Sequence, residues 1–336
     1  MLRRRDTALG IMGAALAATQ GSREASAQSG GGSGGAADTW PNRPIRWVVG
    51  YPPGGASDVM ARQIANAIGT RLGQPIVVEN RPGGGAVLAS EQVSRAAPDG
   101  HTLLHSDNGM LVYNPALYQR LPYDPDRDLT GVGFIGRWPL FFVVTPESPH
   151  RSFADLVEAS KRNGLTYGTP GVASPHHLAC EMVKKRTGLD ATHVPYRGGP
   201  LAMNDLLGGR VDVVVIDTST GLPFVRANRV RVLAQLGDRR SDQLPDVPTL
   251  IELGQPDAVA YGWQSLSVPA NTPEPVIRRL NEELVRAMGT PEVTAHVRNI
   301  GVEVVNMAPD EFNAFVRRES ATWRPLIREL GIRSDS

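Results

Sequence analysis

The stretch IRWVVGYPPGGASDVMARQIA, residues 45–65, joins an apolar pentad to a helical pattern through a loop with almost no side chains. Ile45–Val49 alternates as a strand does. From Asp58 to Leu72, Met60, Ile64, Ile68 and Leu72 recur every fourth residue, which predicts one buried helix face closed by Gly73. Between them, Tyr51-Pro-Pro-Gly-Gly-Ala supplies two prolines that stiffen the chain and two glycines that clear space beside the backbone. A strand running through such a loop into a helix is the first half of a βαβ unit.

Working outward, the same order recurs. Strands are predicted at Pro75–Glu79, His101–His105, Phe141–Val144, Leu165–Gly168, Thr192–Tyr196, Val211–Ile216, Val230–Gln235 and Trp263–Val268. Helices are predicted at Gly85–Ala97, Ser152–Asn163, Pro175–Thr187 and Leu201–Leu207, with two more near the C-terminus, Pro275–Ala287 and Pro309–Glu329. Strands alternating with helices predict an α/β fold with a mostly parallel sheet. The chain length of 336 residues suits two such units.

The loop at residue 51 has a counterpart. Leu165–Gly168 runs into Thr169-Pro-Gly-Val-Ala173, then Ser174-Pro175 and a helix stopped by Gly188. Each loop delivers a hydroxyl or carboxylate cap to a helix, and Ser174-Pro175 is the favoured cap-then-proline order. A helix N-terminus exposes unpaired N–H groups and a partial positive charge, so an anion can bind the backbone itself where only small residues stand in the way. Two such loops, one per α/β half, predict a cleft that holds a small anion at the carboxyl ends of the strands. Asp58 is expected to cap its helix, since a carboxylate facing an anion would repel it.

The chain's first residues read as an export signal. Arg3-Arg4-Arg5 precede a modest apolar run, Ala8–Ala18, and Ala25-Ser26-Ala27 offers a small-residue cleavage site. Residues 1–27 are therefore assigned to a signal peptide of the Sec or twin-arginine type, and residues 28–39, with SGGGSGG, to a flexible linker. Cleavage removes four of 35 basic and two of 34 acidic residues and leaves a net charge of −1. No basic stripe suggests nucleic acid. The single cysteine, Cys180, excludes an intramolecular disulfide and is expected on an apolar helix face.

Beyond these loops, PNRPIRWVVGYPPGGASDVMARQIA, GQPIVVENRPGGG, APDGHTLL, LTYGTPGVASPHHLA, THVPYRGGPLAMNDLLGGRVDVVV and LPDVPTLIELG, in this order between Trp40 and Ile332, resemble the Bug family. These are the periplasmic solute-binding receptors of tripartite tricarboxylate transporters. The resemblance implies a type II periplasmic-binding-protein fold, two α/β lobes closing by a hinge on a small organic carboxylate, with membrane permease subunits as partners. It implies no cofactor and a monomer. Carried over by position, the ligand-binding residues are Gly54, Gly55, Ala56, Ser57 and Asp58 in the first loop, and Thr169, Gly171, Val172, Ala173, Ser174 and His177 in the second. Ala173 and His176 depart from the family's usual glycine and glutamine. Ser106, Asp107 and Asp217 are expected to line the cleft, as are Tyr51 and Tyr196. Lobe 1 is expected over 40–145 and 264–336, lobe 2 over 146–263.

Rival readings are weaker. Beyond the Gly/Ser linker, where Gly31-Gly-Ser-Gly-Gly35 matches by composition alone, neither a Gly-x-Ser-x-Gly elbow nor a phosphate-binding Gly-x4-Gly-Lys loop occurs. Adjacent His176 and His177 diverge by about 100° on a helix, and His101 and His105 share one side of a strand without a third ligand. Asp124, Asp126 and Asp128 lack the glycine and distal glutamate of a calcium loop. Arg197-Gly198-Gly199 reads equally as an anion aid or a turn. A sensor that presents its closed lobes to a signalling partner remains the alternative to transport, with a carboxylate-processing enzyme behind it.

Overall fold

The computed structural model describes residues 40–334; the expected signal peptide and linker lie outside that range. Among the described residues there are nine strands: β1 (Ile45–Val49), β2 (Ile76–Asn80), β3 (Thr102–Asp107), β4 (Leu129–Val144), β5 (Leu165–Thr169), β6 (Ala191–Pro195), β7 (Val213–Asp217), β8 (Arg231–Gln235) and β9 (Tyr261–Pro269). The helices are α1 (Ala56–Leu72), α2 (Val87–Ser94), α3 (Asn114–Leu117), α4 (Pro125–Asp128), α5 (Phe153–Asn163), α6 (Pro175–Thr187), α7 (Gly199–Leu207), α8 (Thr218–Arg226), α9 (Glu274–Met288), α10 (Pro291–Asn299) and α11 (Pro309–Glu329). A π-helical turn occupies Gly109–Tyr113.

The strand order β2-β1-β3-β9-β4-β7-β5-β6, with β8 also on β4, reads the same from either end. On one side β1 pairs in parallel with β2 and β3; on the other, β5 pairs in parallel with β6 and β7. Each set is flanked by one antiparallel strand, β9 for the first and β4 for the second. The duplication is of topology, which is why no short sequence repeat is visible. The fold is the two-lobed type II periplasmic-binding-protein arrangement.

Strand β4 joins the lobes. Its residues 129–139 pair with β9, and its residues 140–144 pair with β7 and β8. The expected strand at Phe141–Val144 is thus only the end of a 16-residue one. Two further differences stand out. Three helices, not two, follow β9, because Pro291 starts α10 directly after α9. Helix α8, unanticipated, follows Asp217 despite its internal Pro223.

Strand alternation sorts the core. Trp47 and Val49 face α1, α9 and α10 with Met60, Ile64 and Leu280, whereas Val48 and Leu104 face α2 and α11. That second cluster continues through Phe134, Phe142 and Tyr167 to Leu178 and Cys180, so one apolar core runs from lobe to lobe. Cys180 is buried on α6, as its surroundings in sequence imply.

Candidate ligand-binding site

The sheet register brings the two parallel sets head to head. β3 ends at Asp107, opposite Gln264, which in turn lies opposite Gly136 of β4. β7 runs the other way and ends at Asp217, opposite Leu140 of the same strand. Four residues of β4 separate these levels, roughly 13 Å at about 3.3 Å per residue. The carboxyl ends of both sets therefore converge on one cleft, and the loops after β1 and β5 open at its two edges.

These two loops are copies of one another. In the first, the Gly55 N–H reaches the Pro52 carbonyl at 3.4 Å; in the second, the Ser174 N–H reaches Gly171 at 3.3 Å. Gly55 and Ser174 are the respective N-caps, both with extended backbone. The residues just before them, Gly54 and Ala173, are both left-handed, with φ of 79° and 58°. Each of these donates its N–H to the side chain four residues on. Gly54 bonds Asp58 Oδ2 at 2.8 Å, and Ala173 bonds His177 Nδ1 at 3.0 Å. Asp58 is therefore not the cap expected of it. It sits at the third helical position and ties back the loop.

With those amides tied off, the free donors are the next ones. The Ala56, Ser57 and Asp58 N–H groups precede the first α1 bond, from Val59 to Gly55, and have no acceptor among the described residues. In the second loop the matching free donor is the His176 N–H, since the His177 N–H is capped by Ser174 Oγ at 3.2 Å; the Val172 N–H, two residues before the N-cap, also has no acceptor among the described residues. Gly54, Gly55, Ala56 and Val172 are exposed, so an anion can reach the backbone.

The side chains around the loops are mostly committed to one another. Asp58 also bonds Arg62 and Asn80, at 3.1 and 2.9 Å. Burial works against its ionisation, but these partners and the Gly54 N–H outweigh it and bring its carboxyl down to about 2. Asp107 accepts from the Tyr51 hydroxyl and from the Met110 N–H at 2.9 Å; burial raises its carboxyl despite both bonds. Ser106 lies fully buried between β3 and β9, bonded to Ser265 and Ser267. Tyr196 gives its hydroxyl to Asp205 at 2.8 Å, and its N–H holds Thr169 O. Thr169 bonds Gly171 O and His193.

Asp217 caps α8 through the Thr220 N–H at 2.9 Å, accepts from Ser219, and meets His176 Nε2 at 3.0 Å. Burial would raise its carboxyl, but His176 and the two α8 donors hold it down to about 2. His176 thus ties the start of α6 to the start of α8, and its other ring nitrogen is buried without a partner among the described residues.

Several contributors escaped sequence reasoning. Gln264 of β9 reaches Ser57 Oγ at 2.6 Å and His105 Nε2 at 2.8 Å, linking α1 to the strand that crosses between lobes. Burial pushes His105 to about 4, so it is the neutral donor in that chain. The signal that was available is the repeated spacing of four, Gly54 to Asp58 and Ala173 to His177. A cavity of about 140 Å³ between β4, β9 and α11, lined by Phe134, Trp263, Phe315 and Glu319, contains none of the loop residues. No His, Cys, Asp or Glu cluster suited to a metal occurs among the described residues. Asp126 pairs with Arg324 at 2.5 and 2.9 Å instead.

Two α/β lobes of matching topology, with loops whose unpaired amides face one cleft, define a solute-binding receptor of the two-lobed class. Comparison with known proteins places it further. The chain belongs to the tripartite tricarboxylate transporter family of receptors, whose model matches residues 60–332. It is 36% identical over 298 residues to the protein BugT of Bordetella pertussis, covering 88% of this chain and 91% of that one. Among solved structures it resembles Rpa4515 of R. palustris with adipate (31% identity, TM-score 0.76, covering 88% and 99% of the two chains). It also resembles MatC of Rhodopseudomonas palustris with bound malate (30%, TM-score 0.73, covering 86% and 100%). The family is one of periplasmic receptors serving tripartite transporters, and the chain is a receptor rather than an enzyme.

Proposed function

We propose that this receptor captures a small organic carboxylate between its lobes and hands it to the membrane subunits of a tripartite transporter. The observation that carries the reading is the matched pair of loops with unpaired N–H groups, those of the first turn at Ala56, Ser57 and Asp58 on one side, and on the other His176 of the first turn with Val172 ahead of the N-cap. Adipate and malate in the two related structures support a dicarboxylate of that size. The remaining expected residues, Tyr51, Asp107, Thr169, Ser174, His177, Tyr196 and Asp217, then act by fixing the loops, and Gly54, Gly55, Gly171 and Ala173 by staying small. Lobes over 40–145 with 264–336 and over 146–263 would hinge where β4 and β9 pass between them. Ligand favours closure only by its greater affinity for the closed form. Export through residues 1–27 and a monomeric state complete the proposal.

A thermal-shift screen over mono-, di- and tricarboxylates tests it. An acid at a hundred times its Kd stabilises by about 2.7 kcal/mol, which raises the melting temperature by several degrees. A flat response across the panel, or product formed at stoichiometric protein, would overturn it.

A further inference from the structure

The two loops share a geometry but not the acceptor that pins it. The first uses the Asp58 carboxylate, held ionised by Arg62 and Asn80. The second uses an imidazole. Because His177 Nδ1 accepts the Ala173 N–H, the ring's own proton is on Nε2. A further proton has only Nδ1 to go to, where it would face a second donor across 3.0 Å. The bond would be lost, and with it the contact that holds Ala173, a residue with a Cβ, in left-handed backbone.

His177 is not alone. Its ring stacks on His193 with centroids 3.8 Å apart and planes 10° from parallel, and Tyr167 stacks on His193 at 4.9 Å. His193 Nε2 meets Thr169 Oγ1 at 2.7 Å. The Thr169 hydroxyl donates to Gly171 O, so His193 is the donor to it. Both rings are thereby wired into the same loop. Of the charges facing the pair, the Glu181 carboxylate on α6 favours a proton and Lys184 opposes it, the two being paired at 2.8 Å; Glu181 also takes the Tyr167 hydroxyl at 2.5 Å, and Cys180 is a buried thiol.

We infer that His177 and His193 are positioning residues, a stacked neutral pair that holds the second loop in its binding form, so that acid loosens this loop while the first keeps its shape. The inference rests on the proposed receptor function for its meaning but not for its test. Burial, the largest influence, lowers both histidines; for His193, to about 4, the neighbouring His177 adds to it. A ring released from the loop titrates near the ordinary value of about 6.5. The held form is therefore fully favoured above that value, and its advantage falls as pH drops toward 4.

Amide hydrogen exchange at Ala173, resolved by NMR on the ligand-free protein and corrected for intrinsic rate, reads the bond directly. Between pH 6.5 and 4.5 its protection is expected to fall by up to about tenfold per pH unit, while Gly54, pinned by Asp58, stays level. His177→Asn keeps an acceptor that does not titrate and should flatten the profile. His177→Leu should remove Ala173 protection at every pH. His193→Gln keeps a donor for Thr169 but removes the stacked ring, and should move the fall to higher pH. A level Ala173 profile in the natural chain, protection surviving His177→Leu, or pH dependence surviving His177→Asn would each overturn the inference. Adipate titrations at pH 7.5 and 5.0 form a separate arm. Failure of every carboxylate to bind would sink the receptor function and leave the loop result standing.

Discussion

Gly55→Asp isolates the first loop with one side chain. Gly55 has φ −77° and ψ 168°, which any residue adopts, and a Cβ there meets only the Pro52 carbonyl at 3.4 Å. The fold should therefore accept the substitution, and an aspartate at the N-cap adds helix stability. That same carboxylate would bond the Ser57 or Asp58 N–H, the donors assigned to the ligand. It also places a negative charge about 4 Å from a bound carboxylate, which at an effective dielectric of about 20 costs about 4 kcal/mol. Affinity should fall by about a thousandfold. Calorimetry on whichever acid the thermal screen identifies measures this, with Gly55→Asn separating bulk and capping from charge. The asparagine variant should lose less. Unchanged affinity in the aspartate variant, with an equal or higher melting temperature, would refute the assignment of these amides to the ligand.

Asp217→Ala removes the α8 cap and the partner of His176 together, and should cost about 2–4 kcal/mol in urea unfolding at pH 7. The folded pKa of Asp217, about 2, lies below its ordinary value, so its contribution is present above about pH 4 and lost as pH falls through 2. Asp217→Asn should flatten that limb of the stability profile; a stability loss identical at pH 2 and pH 7 would contradict the role given to the charge. Gly131→Ala is the remote control: its Cβ would lie 2.4 Å from the Phe312 ring, costing about 1–3 kcal/mol of stability with carboxylate affinity unchanged.

The elements that were legible are those whose periodicity and punctuation agree. Helices α6 and α11 begin at Pro175 and Pro309 and end at Thr187 and Glu329, as the proline opening each, and Ser174 and Gly188 around α6, imply. The first half of β4 was hidden because Gly131, Gly133 and Gly136 break its pattern. Those glycines are spaces for partners distant in sequence: Phe312 and Asn313 at the first, Asn281 and Leu284 at the second, Val302 at the third. A strand shaped by what packs on it cannot be read from its own residues. Helix α8 was hidden by Gly221 and Pro223, and what starts it is Asp217, which local pattern presented equally as a cleft residue. The two loops were legible as a matched pair, yet their pinning was not, since Asp58 and His177 look unlike until their backbone partners are seen.

That likeness resolves the oddity of a carboxylate beside the proposed anion site. In both loops the residue before the N-cap turns left-handed and gives its N–H to the third helical side chain, and the amide of the second helical residue, Ser57 or His176, is free. What this position requires is an acceptor, and its charge matters only if it is felt across the helix start. Asp58 is 3% exposed and engaged by Arg62 and Asn80, so little net field reaches the cleft. His177 reaches the same end by being neutral. Neither loop then presents an uncompensated side-chain charge, and under the proposed function attraction for the ligand falls to the backbone amides and helix dipoles, which act only at hydrogen-bonding range. Selection among acids must therefore come from spacing across the roughly 13 Å between the ends of β3 and β7 and from the side chains that fill it, rather than from a complementary charge.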